Sequence, residues 1–203
     1  MLLGDPAHSA VAPVEAPRFG ARVWTRRLLG PVIAPPAVDA DGRSYWATQS
    51  GWLQALDWQG GELWRVDLGG ASHSSPALLR DGSLVAATRQ GEVWRIGPDG
   101  VPRWHVQLGR EILSSPLLDE PAGRVVLSAE DTTVGLGLED GGVGFWAEFH
   151  NQANNSSPAM GSDGLIRAVN WLGLAFALTG GGRKLWVTDL GVHSGFMSAP
   201  VLD

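Results

Sequence analysis

Five histidines are the first residues whose chemistry could matter, since imidazole both ligates metals and moves protons near neutral pH. They stand at His8, His73, His105, His150 and His193, and no two share the short spacing of a metal site. His73 precedes Ser74 and Ser75, which sets a base beside two hydroxyls. The same Ser-Ser-Pro returns at Ser115 and Ser157, however, so the hydroxyls read as framework rather than nucleophile. Asp39-Ala40-Asp41-Gly42 opens like a calcium loop, but its twelfth position is Ser50 instead of the bidentate Glu such a loop needs. Arg80-Asp81-Gly82 and Ser162-Asp163-Gly164 occupy the same place further on, and this marks a hairpin turn. Asn154 and Asn155 each start an Asn-x-Ser glycosylation pattern. No nucleophile elbow, zinc-protease pair, P-loop or dinucleotide fingerprint occurs. The sequence thus assigns no catalytic, cofactor-binding or metal residue.

Composition narrows the field further. Net charge is −6, with 15 Lys and Arg against 21 Asp and Glu. An acidic chain without a basic cluster lacks the electrostatic footprint of a nucleic-acid or anionic-membrane binder. There is no cysteine, which excludes disulfides, thiol catalysis and Cys-ligated zinc. No apolar run approaches the ~20 residues that a transmembrane helix requires. The opening MLLGDPAHSAVAPVEAP has no basic start and is broken by Asp5 and Pro6, so it is not expected to be a signal peptide. Compartment stays open, between the cytoplasm and a chain whose leader has been removed.

The elements that must position any site come from a repeat. Trp24, Trp64, Trp104, Trp146 and Trp186 stand 40, 40, 42 and 40 residues apart, and Gly20, Gly60, Gly100, Gly142 and Gly182 each lie four residues before one of them. Pro36, Pro76, Pro116 and Pro158 follow the first four tryptophans by twelve. Each unit reads as four short strands; the second runs 74–79, 83–88, 92–96 and 102–108, with Asp81-Gly82 and the Gly-Pro-Asp-Gly of 97–100 as turns. Trp104, Val106 and Leu108 alternate with His105 and Gln107, the period of a half-buried strand. About 40 residues and four antiparallel strands per unit is the size of a propeller blade. A lone blade leaves an apolar face in water, so one large ring per blade is expected to fill the gap to its neighbour.

The stretch 55–64, ALDWQGGELW, resembles the Ala-x-Asp, Gly, Trp docking motif of the PQQ-like, quinoprotein-type β-propeller repeats. The Ser-Ser-Pro that opens a blade and the strand after Asp81-Gly82 match that family as well. In the other copies the Asp place holds Gly97, Glu139 and Thr179, and the Ala place holds Arg95, Gly137 and Ala177. The resemblance implies an all-β propeller of seven or eight blades. Residues 1–19 are expected to be a flexible segment and 20–203 the repeats. Four complete blades are expected at about 34–68, 74–108, 114–150 and 156–190. An outer strand at 22–28 and an inner strand at 198–202 are left without in-chain partners.

In such a blade the loops entering the inner strand and those joining strands two and three open on one face. The first set carries His73, Arg110, Glu111, Asn154, Asn155, His193 and Phe196; the second carries Gln49, Trp52, Arg89, Glu130, Asp131, Asn170 and Trp171. These differ from blade to blade while the framework repeats, and variable loops on a rigid scaffold are where binding resides. The sequence therefore predicts a non-catalytic scaffold that binds a protein or peptide, or other copies of itself, with no cofactor. It is similar to the BamB-like branch of the family, which implies an extracytoplasmic place. The family also contains PQQ-dependent dehydrogenases, which implies PQQ with calcium as the alternative. A propeller sensor for a small sugar or polymer is a further one.

Overall fold

The computed structural model describes residues 22–149, 156–191 and Pro200. The expected segment 1–19, Gly20, Asn154, Asn155, His193 and Phe196 lie outside that range, as does all of 198–202 except Pro200. Sixteen strands form four separate four-stranded antiparallel sheets, each in simple meander order. The first contains β1 (Ala37–Val38), β2 (Ser44–Ala47), β3 (Trp52–Leu56) and β4 (Glu62–Asp67). The second contains β5 (Ala77–Leu78), β6 (Leu84–Ala87), β7 (Glu92–Ile96) and β8 (Pro102–Gln107). The third contains β9 (Leu117–Asp119), β10 (Arg124–Ala129), β11 (Thr132–Gly137) and β12 (Val143–Glu148). The fourth contains β13 (Ala159–Met160), β14 (Ile166–Val169), β15 (Leu174–Leu178) and β16 (Lys184–Asp189). These are the all-β propeller blades that the repeat implies. Residues 22–28 belong to no sheet.

Burial follows the position of each strand. β6 is buried along its whole length, whereas outer strands β4 and β8 alternate half-buried with exposed residues. The core lies between sheets. Leu53, Leu68, Leu84 and Ile96 pack with Trp64 between blades 1 and 2. Val93, Ile112, Val125, Leu127 and Val134 pack with Trp104 between blades 2 and 3. Val126, Phe149, Ile166 and Phe176 pack with Phe145 between blades 3 and 4.

The docking device is the same at the first two junctions. Gly100, at φ +81, closes the β7–β8 turn, and a Cβ there would lie 2.7 Å from the Trp64 ring. Trp64 Nε1 donates to the Pro98 carbonyl in that turn at 2.9 Å. Trp104 does likewise at the Leu138 carbonyl, 2.6 Å away. Only glycine both accepts this left-handed backbone without strain and leaves room for the indole.

Blade 3 departs from the register that tryptophan spacing suggests. Gly135 pairs with Phe145, as Ala55 pairs with Trp64 and Ala177 with Trp186. Gly141, not Gly142, has the positive φ of +71 and meets Trp104; Phe145, not Trp146, meets Gly182. Phe149 takes the place of Leu68 and Leu108, its N–H donating to Asp131 O at 2.6 Å. The Ala and Asp places of the motif are then Gly135 and Gly137 rather than Gly137 and Glu139. Two turns of blade 3 each hold an extra residue, one of them through the short 3-10 turn Glu120–Ala122, and its β10–β11 loop has one fewer. A one-residue slip moves a side chain to the opposite face, so Trp146 points outward, 42% exposed.

Candidate functional site

The two loop sets meet on one face through a repeated backbone bond. Gln49 N–H donates to Pro31 O at 2.8 Å, Arg89 N–H to Ala71 O at 2.7 Å, and Glu130 N–H to Glu111 O at 2.9 Å. Each bond ties the tip of a strand 2–3 loop to the loop entering an inner strand. Below the tips, buried polar side chains hold the loops in shape. Thr48 Oγ1 accepts from Trp52 N–H at 3.1 Å, and Thr88 Oγ1 from Glu92 N–H at 3.2 Å. Asn170 Oδ1 accepts from Leu172 and Leu174 N–H at 3.1 and 2.8 Å.

The expected loop residues thus separate by environment. Asn170 is fully buried and supports its loop. The next two residues, Trp171 and Leu172, are 41% and 42% exposed. The corresponding tips in blades 1 and 2 are the polar Gln49-Ser50 and Arg89-Gln90. Leu172 was missed by sequence reading; its signal was its position beside Trp171 in a tip that is polar elsewhere. Trp52 lies half-buried at the start of β3, with the Arg65 guanidinium 5.7 Å from its ring centre. His73 is half-buried, in the loop leading to β5.

Between blades 2 and 3 the face is charged. Arg89 pairs with Glu111. Arg110 reaches Asp131 at 2.5 Å, Glu130 at 3.8 Å and Glu148 at 4.0 Å, and lies 6.0 Å from the ring centre of Trp146. Glu148 and Trp146 were not among the expected site residues, because only the fold brings the end of β12 alongside these loops. Glu130 adopts φ +47, an uncommon conformation for a residue with a Cβ. A reciprocal bond, Glu111 N–H to Glu130 Oε1 at 3.2 Å, completes its link to the neighbouring loop. Two guanidinium groups face four carboxylates here, so the cluster is net acidic.

The inner strands offer different chemistry. Ser75 N–H donates to Ser115 Oγ at 3.0 Å, and Ser115 N–H to Ser157 Oγ at 2.8 Å. Ser114 Oγ donates to Ser128 O at 2.9 Å, and Ser156 Oγ accepts from Val169 N–H at 3.0 Å. These hydroxyls therefore knit strands and blades together. Among the described residues no three His, Asp or Glu side chains gather as a metal-ligand set. A quinone cofactor with calcium needs clustered acidic ligands, and the described residues do not fit it. No described helix is long and apolar enough to cross a membrane.

A family profile described as outer membrane protein assembly factor BamB matches residues 49–191. No curated protein matches the sequence. Among solved structures, BamB from Moraxella catarrhalis is similar with a TM-score of 0.69 at 20% identity, over 82% of this chain and 52% of that one. Quinohemoprotein alcohol dehydrogenase from Comamonas testosteroni gives 0.65 at 13% identity, over 79% and 35%. The quinohemoprotein alcohol dehydrogenase ADHIIG from Pseudomonas putida HK5 gives 0.67 at 15%, over 84% and 36%. The chain spans about half the length of the first and about a third of the other two. At these identities the likeness is one of fold, which catalytic and non-catalytic propellers share.

Proposed function

The chain belongs to the BamB-type family of PQQ-like β-propellers, and on that premise we propose that it is a non-catalytic, extracytoplasmic scaffold that binds a protein segment through its loop face. The observation that carries this reading is the blade 4 tip. Trp171 and Leu172 stand exposed on a loop whose base is fixed by fully buried Asn170. A rigid aromatic beside an aliphatic residue is a suitable anchor, because little side-chain freedom is lost on binding. The acidic cluster around Arg110 on the neighbouring blade adds a preference of charge. The fitting partner is an extended segment with an apolar residue flanked by lysine or arginine.

Binding of fluorescent peptides of that composition, followed by anisotropy, tests the reading. Trp171→Ala is expected to weaken binding by about 2 kcal/mol, roughly thirtyfold, and added salt to weaken it further. Binding indifferent to Trp171→Ala overturns the assignment of the site. The dehydrogenase reading predicts instead that PQQ with calcium raises the melting temperature.

A further inference from the structure

The junction between blades 3 and 4 holds a cleft whose counterpart at the preceding junction is filled by side chains. In blade 2, Arg95 pairs across the strands with Trp104, and Arg103 stands just before that tryptophan. Gly135 and Gly144 take the same places in blade 3, since Gly135 pairs with Phe145 and Gly144 precedes it. The Arg95 guanidinium donates to Leu138 O of the next blade at 2.7 Å and to Asp81 at 2.8 Å. Where both arginines are glycine, a cleft of about 420 Å³ opens on the turn face. Its walls include Phe145, Arg124 and Asp140 of blade 3 and the Gly180-Gly181 turn of blade 4. The volume lies within the roughly 300–1,000 Å³ of small-molecule sites. Both walls belong to described blades, so the cleft does not depend on what precedes blade 1 or follows blade 4.

Hydrogen-bonding groups without partners gather at these walls. In blade 1 the Asp57 carboxylate accepts from Gln59 and Gly61 N–H at 2.8 and 2.7 Å. Thr179 holds that place in blade 4, where its Oγ1 accepts from Arg183 N–H at 3.2 Å. The Gly181 N–H, which matches that of Gln59, has no partner among the described residues. Arg124 donates to Gly180 O at 2.6 Å and pairs with Asp119 at 2.5 Å, but its Nε–H is buried without a partner. Asp140 Oδ1 accepts from Gly142 N–H at 2.8 Å, and its Oδ2 has no partner among the described residues. Because Asp119 matches the charge of Arg124 and Asp140 adds another carboxylate, the lining offers an anion no net positive charge.

We propose that this cleft binds a flat, uncharged heteroaromatic ring, that of a free nucleobase or nucleoside, seated beside Phe145. A ring carbonyl meets the Gly181 N–H and the Arg124 guanidinium, and a ring N–H meets Asp140 Oδ2. Phe145 supplies an apolar surface for the ring, and the glycines let it approach the backbone closely. A ring bearing a carboxylate is opposed by Asp140. A purely apolar ring would leave the cleft's donors covered and unpaired, at a cost in affinity. This inference stands apart from the loop-face reading, since the cleft and the strand 2–3 loop tips lie on opposite faces.

Isothermal titration of the full chain with guanosine, which carries a ring carbonyl beside a ring N–H, tests it. Guanosine is expected to bind with a Kd between about 1 μM and about 1 mM and to raise the melting temperature. Gly144→Arg rebuilds the side chain that Arg103 supplies in blade 2. A Cβ at Gly144 meets only Gly135 O, at 3.5 Å, on a backbone outside the left-handed region. This variant is expected to melt like ligand-free wild type and to lose guanosine binding. Asp140→Asn keeps an acceptor for the Gly142 N–H and is expected to weaken guanosine about tenfold. Benzoate, a charged ring without a donor, is expected not to bind. No guanosine signal at about 1 mM overturns the proposal. So does undiminished binding by Gly144→Arg or, if that variant melts early, by Asp140→Asn. Benzoate binding in place of guanosine overturns the uncharged ring.

Discussion

Phe145 and Trp146 are neighbours in sequence with opposite roles. Phe145 lies between blades 3 and 4 against Gly182, while Trp146 is 42% exposed beside Arg110. Phe145→Ala leaves a cavity between two sheets and is expected to lower stability by about 3 kcal/mol. Trp146→Ala loses an exposed ring contact and is expected to cost about 1 kcal/mol or less. Urea denaturation midpoints for the two variants check this order. Equal losses, or the reverse order, would restore the register read from tryptophan spacing. The adjacent glycines differ in the same way. A side chain at Gly141 would meet the Trp104 ring on a left-handed backbone, whereas one at Gly142 would meet only the Asp140 carboxylate.

The inner strands show how one repeated residue acquires different energetics from its neighbours. Ser115 Oγ accepts the Ser75 N–H across a blade boundary. The residue placed to do the same for Ser75 is Pro35, forty positions earlier, and proline has no N–H to donate. Ser75 Oγ is accordingly buried without a hydrogen-bond partner. Ser115→Ala strands a buried N–H and is expected to cost about 1–2 kcal/mol. Ser75→Ala removes a hydroxyl that gains nothing from burial and is expected to be neutral or slightly stabilising. Chemical denaturation of the pair is the check, and a Ser75→Ala loss as large as that of Ser115→Ala would contradict the account.

Across the whole molecule, a carboxylate–guanidinium pair recurs in every described blade on the turn face opposite the strand 2–3 loops. The pairs are Asp39–Arg43 at 2.7 Å, Asp81–Arg95 at 2.8 Å, Asp119–Arg124 at 2.5 Å and Asp163–Arg167 at 2.6 Å. Burial raises the Asp39 and Asp81 carboxyls, but hydrogen bonds from Tyr45 and Arg43, and from Ser83 and Arg95, hold both below the ordinary value. The Arg167 hydrogen bonds hold the exposed Asp163 down at about 2. A carboxyl depressed in the folded state adds stability above its unfolded pKa, here 3.8, and loses it as pH falls through the folded one. Stability is therefore expected to decline from about pH 4 towards about pH 2. Asp163→Asn should make that decline shallower, as urea unfolding over this range would show. A steeper decline would mean that the pair does not act as drawn.

The sequence by itself determined the repeat, the strand-and-turn content, the all-β blades and the ring residue at three of the four turn glycines that hold one, those of Trp24, Trp64 and Trp104. These follow from alternation and turn glycines, which act between near neighbours and so are written locally in every copy. It also marked Trp171 as a loop aromatic. What it could not carry was register, because Gly141-x-x-x-Phe145 and Gly142-x-x-x-Trp146 satisfy one spacing rule equally well. Only the pairing of β11 with β12, and the glycine of the next blade, choose between them. The tertiary structure likewise decided that Asn170 is scaffold and that Trp146 and Glu148 join the Arg110 cluster. Each of these depends on which surfaces face each other across distances that spacing along the chain does not encode.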